Sequence, residues 1–254
     1  MASLKEAVIS LQLWSLNQEC AKDFFGTLRQ VSEMGYEGVE FAGFHGKGAA
    51  EVRKTVEGLN LKMTGTHLHR DQLEGDKFAE TVAFYKELGV STLIVPWAVG
   101  PKGTAAQWQE MAQWLTATAD KLAQEGMRLG YHNHEFEFAP VDGGKLPFDI
   151  VFGNTPASVV MQIDMGWSEF SRQDTPALFA RYPGRSLTTH VKAHSAANRV
   201  ARIGEDDVDW KKNLEAAAGV GGCRYFVVEH EEHGDTPPLE NVKVCLECLK
   251  RLRG

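Results

Sequence analysis

The sequence predicts a (β/α)8 barrel of the TIM type, an α/β fold forming a single domain over residues 1–254. Three observations carry this. Short apolar, β-branched runs alternate with longer amphipathic stretches from end to end. Eight such strand–helix pairs divide the chain at about 32 residues each, the spacing of that barrel. The first strand runs into Trp14-Ser15-Leu16-Asn17-Gln18, without the glycines that a doubly wound dinucleotide fold places there.

The first strand is Ala7–Leu13, and Cys20–Met34 is the amphipathic helix behind it, stopped by Gly35. Gly38–Phe41 and Ala49–Leu59 make the second pair. Lys62–His67 and Gly75–Leu88 make the third, with Gly89 at the helix end. The apolar run Thr92–Pro96 precedes the long helix Thr104–Gln124, which Gly126 follows. Arg128–His134 pairs with Phe148–Asn154, and Val159–Asp164 with Thr175–Tyr182, where Pro176 suits the first helical turn. Leu187–Lys192 with Trp210–Ala218, then Tyr225–Glu229 with Leu239–Arg251, complete the set. No linker or shift of composition divides the chain.

Composition narrows the partners. With 27 Lys+Arg against 34 Asp+Glu the formal charge is −7, which disfavours a protein that must neutralise nucleic-acid phosphates. No apolar run is long enough to span a membrane. The first 14 residues lack a basic segment followed by an uninterrupted apolar one, so a cytoplasmic protein is expected, with a removed export leader as the alternative. The 4 cysteines are too few for a disulfide scaffold. Cys245 and Cys248 have CxxC spacing but share one face of the last helix, where core packing is the expected role.

All 9 histidines fall at a strand end or in the loop just after it. In a barrel those positions converge on the C-terminal face, where barrel enzymes place their active sites. Residues two apart in a strand share a face, so His67/His69, His132/His134, Gln162/Asp164 and His190/Lys192 each form a same-side pair. Intervening Leu68, Tyr131, Ile163 and Val191 are apolar, as packing against outer helices requires; Asn133 is the exception. Isolated loop histidines such as His45 and His233 are expected to be solvated. His132, Asp164, His190 and Glu229 end the fifth to eighth strands and would surround one point, and imidazoles with carboxylates are ordinary ligands of divalent transition metals. A metal is favoured over a purely organic acid/base site; His132 is either a ligand or a substrate contact. Glu229-His230-Glu231-Glu232-His233 imitates a zincin helix only in its letters, because it follows a strand.

At these residues the chain resembles the xylose isomerase-like barrel superfamily of sugar phosphate isomerases/epimerases, which includes inosose dehydratase-like and ketose 3-epimerase-like proteins. The likeness runs from Gly35-Tyr36-Glu37-Gly38-Val39-Glu40 through His67-Leu68-His69, Tyr131-His132-Asn133-His134-Glu135-Phe136-Glu137-Phe138, Ile163-Asp164, Pro183-Gly184-Arg185 and His190-Val191-Lys192. It continues through Ile203-Gly204-Glu205 and Val208-Asp209-Trp210 to Val228-Glu229. The resemblance implies one divalent ion, Mn2+ first and Co2+, Fe2+, Zn2+ or Mg2+ next, at His132, Asp164, His190 and Glu229. His132 stands where the ketose 3-epimerases have glutamate, so their two-glutamate proton relay is not reproduced. Ala193 replaces the aspartate that many relatives carry after the His-x-Lys triplet.

The chemistry so implied is removal of a proton next to a carbonyl, with an enediolate stabilised by the metal. Glu229 is the first candidate base, with His134 or Glu40 as its opposite-face partner. His67 and His69 are expected to contact substrate hydroxyls, and Lys192 to polarise a substrate oxygen or else to pair with Asp164 or Glu229. Trp14, Phe44, Trp97 and Trp167 are candidates for an apolar wall. The expected function is a metal-dependent isomerase or epimerase of a sugar or keto-sugar, with a carbohydrate as partner and association into homo-oligomers as an option. A lyase acting on a keto-sugar or keto-glycoside is the alternative. A non-catalytic sugar-binding partner and an apurinic-site endonuclease rank below both.

Overall fold

In parallel barrels each strand is buried on both faces, so its residues are apolar outward and packed or polar inward. The computed structural model describes residues 3–254, and the first two positions of the expected domain lie outside them. Its strands are β1 (Val8–Gln12), β2 (Gly38–Phe41), β3 (Lys62–His67), β4 (Thr92–Val95), β5 (Arg128–His132), β6 (Val160–Gln162), β7 (Thr188–Lys192) and β8 (Tyr225–Glu229). They pair in parallel in the order β6-β5-β4-β3-β2-β1-β8-β7. The seam between β6 and β7 is closed by a parallel bridge between Asp164 and His190, with His190 N donating to Ile163 O at 2.8 Å. The barrel therefore closes at two of the candidate metal ligands.

Helices α1 (Asn17–Met34), α2 (Ala49–Gly58), α3 (Lys77–Leu88), α4 (Ala105–Gln124), α5 (Pro147–Gly153), α6 (Met165–Phe170), α7 (Thr175–Arg181), α8 (Trp210–Ala218) and α9 (Pro238–Arg253) follow the strands. Gly35 and Gly89 end α1 and α3 in the left-handed region, at φ 92° and 91°. Helix α1 begins earlier than its periodicity predicts and breaks at Asp23, whose Oδ1 accepts from Gly26 N at 2.8 Å. Helix α6 has no counterpart in the sequence reading, since six residues are too short to show a helical period. The Asp164 carboxylate starts it, accepting from Trp167 N at 2.8 Å. Only glycine fits at 166, because a Cβ there would stand 2.4 Å from Lys192 O on the neighbouring strand.

Cys245 and Cys248 are buried on α9 as free thiols, and burial pushes Cys245 up to about 12. Arg185, before β7, is buried too. Its guanidinium donates to Phe152 O at 2.7 Å, Thr155 Oγ1 at 2.8 Å and Val159 O at 3.1 Å, tying α5 and β6 to β7. Arg185→Leu leaves those buried acceptors unpaired and is expected to cost about 3 kcal/mol or more, read as a lower urea midpoint. Among the described residues no helix is long and apolar enough to cross a membrane.

Candidate active site

The C-terminal ends of β3 and β5 and the middle of β7 bring three imidazoles together. His67 stacks on His190 with centroids 5.0 Å apart and planes 4° from parallel, and His132 lies 4.4 Å from His190. One ligand atom from each of His132, Asp164, His190 and Glu229 lies within 4.8 Å of the others, all four side chains being buried. His132 Nε2 is 3.9 Å and His190 Nδ1 4.0 Å from Asp164 Oδ2, while His190 Nδ1 is 3.3 Å from Glu229 Oε2. Ligands held about 2.0–2.2 Å from one ion stand roughly 3–3.5 Å apart, so a small contraction would enclose a cation. Asp164 Oδ2 and His132 Nδ1 are buried without a hydrogen-bond partner. An orphaned carboxylate oxygen at such a point fits a divalent ion, and so does the donor set.

Electrostatics follow from burial and from the few charges nearby. Burial lifts Asp164 to about 6. It lowers His132 well below the usual imidazole value, helped by His190, His134 and His67, and takes His134 down to about 4. Burial also opposes the charge on His190, but the Glu229 and Glu40 carboxylates together outweigh it and raise that imidazole to about 10. Glu229 is held well below the carboxylate range despite burial, because Lys192 and His190 face it.

Glu40 sits beneath this cluster. Its Oε1 accepts from Gln12 Nε2 at 2.8 Å and lies 2.6 Å from His190 Nε2, and its Oε2 accepts from Gln162 Nε2 at 2.7 Å. His67 Nε2 is 3.2 Å from the same carboxylate and 2.7 Å from Gln162 Oε1. Glu40 has no exposed surface and is not among the residues that line the cavity above. Both its oxygens are engaged, and it leaves Nδ1 as the His190 nitrogen free to ligate.

Above the cluster opens a cavity of about 820 Å3. Trp14, His67, His69, His132, His134 and Glu229 all line it, as do Phe44 and Trp97. Lys192 and Trp167 are not among the residues that line it. Lys192 Nζ lies 3.4 Å from Glu229 Oε2, contacts the Glu231 carboxylate and sits 4.7 Å over the Trp167 ring. It is an ion-paired residue with the Trp167 indole beneath it. His45 is exposed as expected; His233 is not simply solvated, since its Nε2 lies 3.0 Å from Ser15 O.

Three polar side chains at the site escaped the sequence reading. Glu231 lines the cavity and accepts from Trp14 Nε1 at 3.1 Å; its spacing of two from Glu229 was the available signal. Gln12 reaches Glu40 from the end of β1. Buried Glu137 accepts from the Tyr131 hydroxyl at 2.5 Å and from His134 N at 2.7 Å, fixing the loop that carries His134, and burial raises it to about 8.

Comparison with known proteins places this arrangement among others. The rhizopine catabolism protein MocC of Rhizobium meliloti is 23% identical over 263 aligned residues, covering 89% of this chain and 80% of that protein. A sugar phosphate isomerase/epimerase from Parabacteroides distasonis superposes with a TM-score of 0.82 at 21% identity, over 98% of this chain and 94% of that one. The probable 3-DHS dehydratase AsbF from Bacillus anthracis gives 0.72 at 15%, over 96% and 98%. At these identities the two structures share the fold. The model of the xylose isomerase-like TIM barrel family matches residues 28–252, a stretch that holds all four members of the His/Asp/Glu quartet. The chain belongs to the xylose isomerase-like TIM barrel family.

Proposed function

We propose that the protein is a divalent-metal-dependent isomerase or epimerase of a sugar or keto-sugar, acting by proton removal next to a carbonyl. The observation that carries this reading is the buried quartet His132, Asp164, His190 and Glu229, with its unpartnered Asp164 oxygen, at the base of an open cavity. A divalent ion held by those four residues would act as a Lewis acid on the substrate carbonyl and its neighbouring hydroxyl.

Glu229 is the base. It lines the cavity as an anion, and Lys192 and His190 fix its Oε2. His134, kept neutral by burial and seated between Trp97 and Phe136, serves the opposite side of the substrate. Glu40 acts through His190, as a positioning residue. His67 and His69 contact hydroxyls, and Trp14 and Trp97 wall the sugar ring. A second reading, a lyase that expels a leaving group after the same proton removal, is favoured by His132. That neutral imidazole stands where a second carboxylate would return the proton.

Solvent-deuterium exchange, screened over keto-sugars, tests the proposal. Deuterium is expected at the carbon next to the carbonyl, with an isomer or epimer as product. An unsaturated product moves the assignment to the lyase. No exchange from any of them, with metal bound, contradicts both.

A further inference from the structure

One backbone amide fixes the direction of a hydrogen-bond chain beneath the histidine cluster. The Trp14 N–H can only donate, and it meets Gln12 Oε1 at 3.2 Å. The Gln12 side chain is thereby turned with its Nε2 toward Glu40 Oε1, 2.8 Å away. Glu40 also meets His190 Nε2 at 2.6 Å and Gln162 Nε2 at 2.7 Å, and a carboxylate accepts at both oxygens. Gln162 Nε2 donates further to the Thr188 hydroxyl at 3.2 Å. With its amide nitrogen committed on that side, buried Gln162 presents Oε1 on the other, 2.7 Å from His67 Nε2.

An amide oxygen can only accept, so the proton of a neutral His67 sits on Nε2 and the lone pair stays on Nδ1. Glu40 Oε1, 3.2 Å from the same nitrogen, asks for the same proton but already serves Gln12 and His190, so Gln162 holds it more closely. Burial, with the parallel His190 ring 5.0 Å away, opposes a second proton on His67 and outweighs the Glu40 carboxylate. His67 lines the cavity. Its Nε2 is occupied, and a polar contact from this ring to a molecule in the cavity falls to Nδ1.

We infer that Gln162 is a positioning residue that fixes the His67 tautomer with its proton on Nε2, so that His67 meets the substrate through Nδ1 as a hydrogen-bond acceptor. The substrate group opposite His67 is therefore a donor, a hydroxyl, and not a carbonyl or phosphate oxygen. The hydroxyl contact rests on the sugar-directed reading of the cavity; the tautomer does not.

Long-range proton–nitrogen correlation NMR of the full chain, isotope-labelled at histidine and kept in Mg2+ so that it stays diamagnetic, reads the tautomer. His67→Asn identifies the His67 signals by their loss. A protonated Nε2 and a bare Nδ1 are expected, and a proton on Nδ1, alone or beside one on Nε2, overturns the inference. Gln162→Met removes the acceptor and is expected to give a mixture of tautomers. It is also expected to raise KM for an accepted keto-sugar about three- to tenfold with kcat changed far less, the loss of one hydrogen bond made equally before and during reaction. Gln162→Asn, which withdraws the amide by one methylene, serves if the first variant does not fold. An unchanged tautomer in the variant overturns the role of Gln162, and a changed tautomer with unchanged KM overturns the contact with substrate. If no keto-sugar is turned over, the two spectra still decide the tautomer and the part of Gln162 in it, and the failure belongs to the proposed reaction.

Discussion

Glu229→Gln is expected to lower kcat by about a thousandfold or more, with KM changed far less, in steady-state assays of an accepted keto-sugar. Removing a positioned base costs about two to four powers of ten, and here the residue is also one of the four facing the candidate ion. The amide keeps the size of the side chain and leaves Lys192 paired with Glu231. The barrel is therefore expected to retain its far-ultraviolet circular dichroism. A variant with near-normal kcat would remove Glu229 from the role of base.

Asp164→Asn is expected to weaken divalent-metal binding by about a hundredfold or more, measured by competition with a chromophoric chelator. Losing a mere supporting partner of a ligand costs about 10–100-fold, and the ligand itself should cost at least that. The substitution is selective because the two oxygens have separate tasks. Oδ1 caps α6 through Trp167 N at 2.8 Å, which asparagine preserves, whereas Oδ2 is buried without a partner at the centre of the quartet. The metal-free variant is accordingly expected to melt no lower than the metal-free parent, since an unpartnered buried oxygen carries a charge no longer.

Much of this site could be read from strand parity. His67, His132 and Glu229 end their strands, His190 lies within β7 and Asp164 two residues past β6, and β3, β7 and β8 keep the bounds that residue patterns predict to within a residue. Parity gives the face but not the depth along the barrel axis. Glu40 shares the inward face with His190, yet β2 pairs it with Gln12 in a layer below the cavity, a stagger set by how the closed sheet shears. Helix α6 turns the chain back immediately after β6, and there the Trp167 indole packs beneath Lys192. The place of Lys192 on β7 suits either a substrate or a carboxylate, and the approach of Glu229 and Glu231 to it is visible only in three dimensions. Glu231 had a readable spacing, but the surrounding Glu-His-Glu-Glu-His letters drew attention to helical motifs on a segment that is not helical.

The central claim is that His132, Asp164, His190 and Glu229 hold one catalytic divalent ion. Elemental analysis of protein purified without chelator, run beside turnover assays before and after removal of metal, tests it most directly. About one divalent ion per chain is expected, with turnover lost on chelation and regained on adding Mn2+. A metal-free protein that turns over at the full rate would contradict the claim.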